Sequence, residues 1–134
     1  MSGLVLKLGP RERVLINGAV IENGEKRSRL AIKTPGANIL RLKDAIHPEE
    51  ANTPVRRVCY ATQLLLSGDT ETEASKLQIL RRIEELSRIL TDQDSRSHLD
   101  LATSALGDDQ YYRCLKALRA LLPREERLLA AKLQ

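Results

Sequence analysis

The sequence predicts an α+β fold: a small antiparallel β-sheet of about five strands in residues 1–46, then a bundle of four to five helices in residues 47–134. Three observations predict it. Aliphatic and charged residues alternate with a period of two in the first third, as in Arg29-Leu30-Ala31-Ile32-Lys33 and Leu40-Arg41-Leu42-Lys43. Asn17-Gly18, Asn23-Gly24 and Pro35-Gly36 punctuate that region with turn dipeptides. After His47-Pro48 the apolar spacing changes to steps of three and four. Strands followed by helices are an α+β order. A β unit of about 46 residues is marginal alone, so the two parts are expected to pack as one compact chain, or on a second copy.

The first strand is Leu4-Val5-Leu6-Lys7-Leu8, ended by Gly9-Pro10. Val14-Leu15-Ile16 follows, and Asn17-Gly18 suits the two-residue turn of a hairpin because both residues tolerate positive φ. Ala19 to Glu22 returns, Asn23-Gly24 turns the chain into Ser28 to Thr34, and Pro35-Gly36 suits a type II turn into Ile39 to Lys43. The expected result is a five-strand meander.

The first helix opens at Thr53, a good N-cap, with Pro54 at the first helical position. Val55, Val58, Cys59, Thr62, Leu65 and Leu66 share one face, and Gly68 can end it. Thr70 and Glu73 have capping-box spacing and open a long helix with the stripe Leu77, Leu80, Ile83, Leu86 and Leu90. Ile79, Ile83, Leu86 and Leu90 also have coiled-coil-like steps, which an intramolecular bundle explains. Thr91 to Asp94 is a polar break before a helix from Ser95 to Leu106, closed by Gly107. Asp108 can cap the next helix, whose inner side is Tyr111, Cys114, Leu115, Leu118 and Leu122. Pro123 interrupts it, and Arg124 to Gln134 forms a final helical arm.

The core must be aliphatic, because the chain has no Phe or Trp and its tyrosines are Tyr60, Tyr111 and Tyr112. No apolar run approaches the ~18 residues of a membrane span. Met1 to Leu4 lack a secretory signal's features, so a cytoplasmic protein without membrane contact is expected. Cys59 and Cys114 sit in apolar helical patterns and read as buried free thiols. No catalytic set emerges. The glycines fall at separate turns rather than in a phosphate-cradling loop, and neither His47 nor His98 has metal-ligand spacing. The expectation is a protein that is not an enzyme and carries no cofactor or metal.

Charge is uneven. Residues 1–46 hold nine lysines and arginines against four carboxylates, whereas the remainder holds thirteen against fourteen. A polyanionic partner for the first part is one reading of this asymmetry, and a solvated sheet face is the other. The candidate RNA-binding residues are Arg11, Arg13, Lys26, Arg27, Arg29, Lys33, Arg41 and Lys43, with Arg56 and Arg57 on the first helix. Guanidinium groups suit bidentate phosphate contacts, and ammonium groups act as point charges. The β region has no aromatic residue on which bases could stack, so recognition would rest on charge, hydrogen bonds and shape. A helix-turn-helix at helix 54–67 and its successor is a weaker DNA-reading alternative, because the second helix carries a packing stripe.

The stretches RVLINGAVIENGEKR and ILRLKDAIHPEEANTPVRRVCYATQLLLSGD resemble the FlbT family of flagellin-synthesis repressors. The resemblance runs over nearly the whole chain and is densest from Arg13 to Asp69. It implies a cytoplasmic post-transcriptional regulator that binds the 5′ untranslated region of flagellin mRNA and promotes its decay or blocks its translation. The partner that the resemblance implies is the flagellin mRNA leader; the helical part would dock the sheet, mediate self-association, or receive a signal from a flagellar regulatory protein. The alternative is a protein-interaction module or flagellin chaperone that does not touch RNA. The sheet alone is similar to CsrA-like RNA-binding dimers, in Glu12 to Ile16, Arg29-Leu30-Ala31-Ile32 with Pro35, and Lys43-Asp44-Ala45-Ile46. That likeness sets Lys43 where those proteins have an arginine, and a lysine cannot form the bidentate fork.

Overall fold

A computed structural model describes residues 4–17, 19–37, 39–41, 45–67 and 70–132. The chain divides into two compact units, Met1–Ala45 and Ile46–Gln134. The first holds strands β1 (Leu4–Leu8), β2 (Arg13–Ile16), β3 (Ala19–Glu22), β4 (Ser28–Ile32) and β5 (Ile39–Arg41). The second holds a 3₁₀ turn at Pro48–Glu50 and helices α1 (Pro54–Ser67), α2 (Thr72–Ile89), α3 (Gln93–Gly107), α4 (Tyr111–Arg119) and α5 (Leu122–Lys132). This is the α+β order expected.

The strands do not form one meander. β1 pairs with β4 in a two-stranded sheet, and β3-β2-β5 form a second sheet, all antiparallel. The β2–β3 hairpin turns where expected, with Asn17 at φ 49°. Gly36, at φ 69°, has the backbone that the Pro35-Gly36 turn requires. Asn23-Gly24 behaves otherwise. Gly24 does not take a positive φ, and its carbonyl accepts from Arg11 N–H at 2.8 Å while Asn23 N–H donates to the Glu12 carbonyl at 2.8 Å. The β2–β3 ladder therefore continues past the strand ends. The Asn23 side chain then donates to the carbonyls of Gly9 (2.6 Å) and Lys26 (3.0 Å) and accepts from the Ser28 hydroxyl (2.7 Å). That side chain closes the loop into β4 and holds it beside the end of β1.

Burial explains the partner exchange. Leu6 and Leu8 of β1 and Val14 of β2 form one buried cluster, with Ile16, Leu30, Ile32 and Ile39 packed on it. The two sheets thus share an aliphatic core. β3 is exposed throughout, and a strand with no buried side chain gives β4 no apolar reason to pair with it.

In the helical unit, α1 buries Val55, Val58, Cys59, Thr62, Leu65 and Leu66, the face expected. α2 buries Ile79, Ile83 and Leu86, and Leu90 follows. Leu77 and Leu80, expected on that stripe, are 58% and 37% exposed. Ile79 lies on the same face as Ile83 and Leu86 in place of Leu80, because steps of four and three from 79 follow the helix more closely than steps of three from 77. Glu71 occupies the N-cap of α2, so the Thr70–Glu73 capping box is not made. Asp92 caps α3, accepting from Ser95 N–H at 3.0 Å. Asp108 ends α3 rather than opening α4, whose N-cap is Gln110. Cys59 and Cys114 are buried free thiols, and burial pushes both up to about 12. Gly68 and Lys43 lie outside the described residues.

One buried carboxylate ties the helical unit together. Glu125 of α5 accepts from the Thr53 hydroxyl and, at 2.8 Å, from Val55 N–H. Thr53 accepts in turn from Arg56 N–H at 3.2 Å. A carboxylate from another helix therefore completes the α1 cap and complements its dipole. Glu125→Ala is expected to destabilise the protein by ~1–3 kcal/mol, because it strands a buried N–H. Glu126→Ala, which removes an exposed contact to Arg56, should cost at most ~1 kcal/mol. Urea denaturation followed by far-UV circular dichroism checks the difference.

Candidate nucleic-acid interface

The β unit carries a cleft of about 530 Å³ lined by Lys7, Leu8, Gly9, Pro10, Glu12, Arg27, Ser28, Arg29 and Arg41. Its geometry follows from the β1–β4 register. Leu6 is opposite Leu30, which puts Lys7 opposite Arg29. Leu6 and Leu8 face the core, so alternation turns Lys7 outward together with Arg29. Arg27 sits in the loop just before β4. Among the described residues, Lys7, Arg27 and Arg29 enter no salt bridge. Like charges directly opposite on an antiparallel pair are unfavourable. The cleft is thus concave, cationic and short of counter-charge.

Glu12 and Arg41 build its wall. Residues 9–12 form a turn closed by Glu12 N–H to the Gly9 carbonyl at 3.2 Å, with Pro10 second and Arg11 third. Arg11 stands at φ 60°, a left-handed backbone that costs a non-glycine residue about 1–2 kcal/mol. The Glu12 carboxylate accepts from Gly9 N–H at 2.9 Å and pairs with Arg41 at 3.1 Å. Arg41 also donates to the Lys7 carbonyl at 2.9 Å, which links β5 of one sheet to β1 of the other. Arg41 is therefore a positioned structural cation more than a free one.

Nine of the ten basic candidates separate on this geometry, and Lys43 lies outside the described residues. Arg27, Arg29 and Arg41 line the cleft. Arg13 pairs with Glu22 directly across the β2–β3 ladder at 2.8 Å. Arg11 pairs with Glu25 at 3.1 Å and approaches Glu22 at 3.8 Å. The hydrogen bond and charge from Arg13, then the charge of Arg11, hold the Glu22 carboxyl below its usual range. Arg11 and Arg13 are thus partly neutralised. Lys26 and Lys33 are exposed and do not line the cleft. Arg56 and Arg57 lie on α1 in the other unit, where Arg56 meets Glu126. Lys7 and Glu12 are the residues that sequence reasoning passed over. Alternation already turned Lys7 away from Leu6 and Leu8, but its meeting with Arg29 depends on the long-range β1–β4 pairing. No group of three or more His, Cys, Asp or Glu among the described residues could hold a metal, and no described helix is long and apolar enough to cross a membrane.

The family model described as "Flagellar protein FlbT" matches residues 4–129. The chain belongs to the FlbT family. A relative from Bradyrhizobium diazoefficiens, named "Probable flagellum biosynthesis repressor protein FlbT 1", is 32% identical over 127 residues, covering 93% of this chain and 84% of that one. A Caulobacter relative named as a FlbT repressor is 27% identical over 126 residues, covering 94% and 95%. One from Brucella abortus is 27% identical over 131 residues, covering 98% and 85%. No solved structure matches. The family match spans both the strand unit and nearly all of the helical unit of this FlbT-family chain.

Glu12→Gln is expected to destabilise the β unit by ~1–3 kcal/mol, because it leaves the partly buried Arg41 guanidinium without its carboxylate. Glu22→Gln, on the exposed ladder, should cost less. Amide hydrogen exchange at β2 and β5 measures both.

Proposed function

We propose that this protein is a non-enzymatic, post-transcriptional regulator of flagellin synthesis. Its β unit binds the 5′ untranslated leader of flagellin mRNA, and occupancy blocks translation or promotes decay of the message. Family membership and the relatives' naming as flagellum biosynthesis repressors support the regulatory role. The observation that carries the RNA contact is the Lys7–Arg29 cross-strand pair, unneutralised beside Arg27 in a concave cleft. Cations at such a site neutralise RNA phosphates and release the counterions condensed on the strand, which favours binding.

The division of labour follows from chemistry. Lys7 supplies a point charge that tolerates a range of phosphate positions, and Arg27 and Arg29 supply planar donors for bidentate phosphate contact or for stacking on an unpaired base. Arg41, held by Glu12 and the Lys7 carbonyl, shapes the wall. With no aromatic residue in the β unit, guanidinium planes are the surfaces there that can cover a base. An unpaired or looped leader suits this site better than a duplex, since its bases are free to lie against those planes.

Purified protein titrated against labelled flagellin leader RNA across a salt series tests the reading, with scrambled RNA and duplex DNA as competitors. The triple variant Lys7→Ala, Arg27→Ala, Arg29→Ala is expected to lose leader binding and lower the slope of log affinity against log salt by about 2, as three lost single-strand phosphate contacts require. Lys26→Ala with Lys33→Ala should retain most affinity. Equal weak binding to all three polyanions would overturn the proposal, and tighter binding to duplex would favour a DNA regulator.

A further inference from the structure

The helical unit has a groove that its own helices leave open. α5 packs on α1, and α2 packs on α1 and α3. Between α2 and α5 lies a groove of about 500 Å³ whose apolar wall includes Leu86, Leu90 and Val55. Three further aliphatic residues on it are exposed: Ile89 at 62%, Leu128 at 48% and Leu129 at 41%. At Pro54, Leu86 and Ile89 the groove runs into a smaller hollow that adds Arg57, Arg82 and Glu85.

We propose that this groove docks an acidic amphipathic helix of a partner protein, with aliphatic anchors against Ile89, Leu128 and Leu129 and carboxylates against Arg57, Arg82 and Lys132. Two observations select that occupant. The charged groups along the continuous surface are Arg57, Arg82 and Lys132 against Glu85, since Glu125 is already engaged by Thr53 and Val55. Arg57, Arg82 and Lys132 enter no salt bridge among the described residues. In addition, the Arg82 Nε–H is buried without an acceptor. A buried unpaired guanidinium N–H is costly, and the half-buried Arg82 side chain can satisfy it by turning its guanidinium out to a partner carboxylate in a strong charge-assisted bond. A second copy of this chain fits less well. Its α5 would bring Arg127 and Lys132, which enter no salt bridge among the described residues, beside Leu128 and Leu129 of a rim that is already cationic. Aliphatic anchors at helical spacing in an apolar groove are an established mode of helix recognition. The groove lies wholly within the helical unit, so this inference stands or falls separately from RNA binding by the β unit.

The test is selection of helical 16-residue peptides from a phage-displayed library on the full-length protein, followed by fluorescence anisotropy with the enriched peptides. Enriched peptides are expected to carry aliphatic residues at i, i+3 or i+4, and i+7, flanked by Asp or Glu. Their affinity should fall about tenfold or more in Ile89→Asp and in Arg82→Gln. It should be unchanged in Lys7→Ala with Arg29→Ala. Ile89 is exposed, so thermal melts of Ile89→Asp should match the parent. Enrichment without acidic bias, no enrichment, or affinity indifferent to Ile89→Asp would overturn the proposal. So would a concentration-dependent dimer in sedimentation that Ile89→Asp abolishes, since a second copy would then cover the groove.

Discussion

The buried contact among Leu6, Leu8 and Val14 is the constraint on which the β unit depends. It joins β1 of one sheet to β2 of the other. It also dictates which way β1 faces, because strand side chains alternate. Once Leu6 and Leu8 are committed to the core, Lys7 must point outward and must meet Arg29 on the paired strand. The basic cleft is thus the reverse side of an apolar decision. A one-residue slip of β4 against β1 would bury Arg29 and expose Leu30 together, so core packing and cleft charge enforce the same register.

Polar contacts refine what the core sets. Glu12 joins the Gly9 turn to Arg41, and Arg41 reaches the Lys7 carbonyl, so two sheets with no shared ladder are joined across the cleft wall. Asn23 performs the equivalent task at the other end of the loop, bonding Gly9, Lys26 and Ser28. Both are local side-chain answers to backbone groups that no strand satisfies. In the helical unit Glu125 has this role, completing the α1 cap from about 70 residues away. The three nodes place carboxylates or an amide where chain direction changes, and leave Lys7, Arg27 and Arg29 without such a partner.

The two units offer different surfaces for different chemistry. The β unit presents a cationic concavity, and the helical unit presents an aliphatic groove with cations at its rim.

The strand and helix segments, the α+β order and the apolar face of α1 are written locally in the sequence. Local turn chemistry and hydrophobic period are encoded over a few residues, which is why Asn17 and Gly36 adopt the expected backbone. The sequence also located the excess charge in the first third, since charge is a property of composition. Tertiary structure alone decided the strand partners. Asn23-Gly24 looks like a hairpin turn, yet burial of Leu30 and Ile32 against Leu6 outweighs the preference for a sequential neighbour. That pairing, spanning more than 20 residues, brought Lys7 into the cleft. Ion pairing with Glu22 and Glu25 drew Arg11 and Arg13 out of the set of free cations. Which arginine is neutralised depends on the carboxylate that folding brings beside it, and no spacing rule along the chain records that.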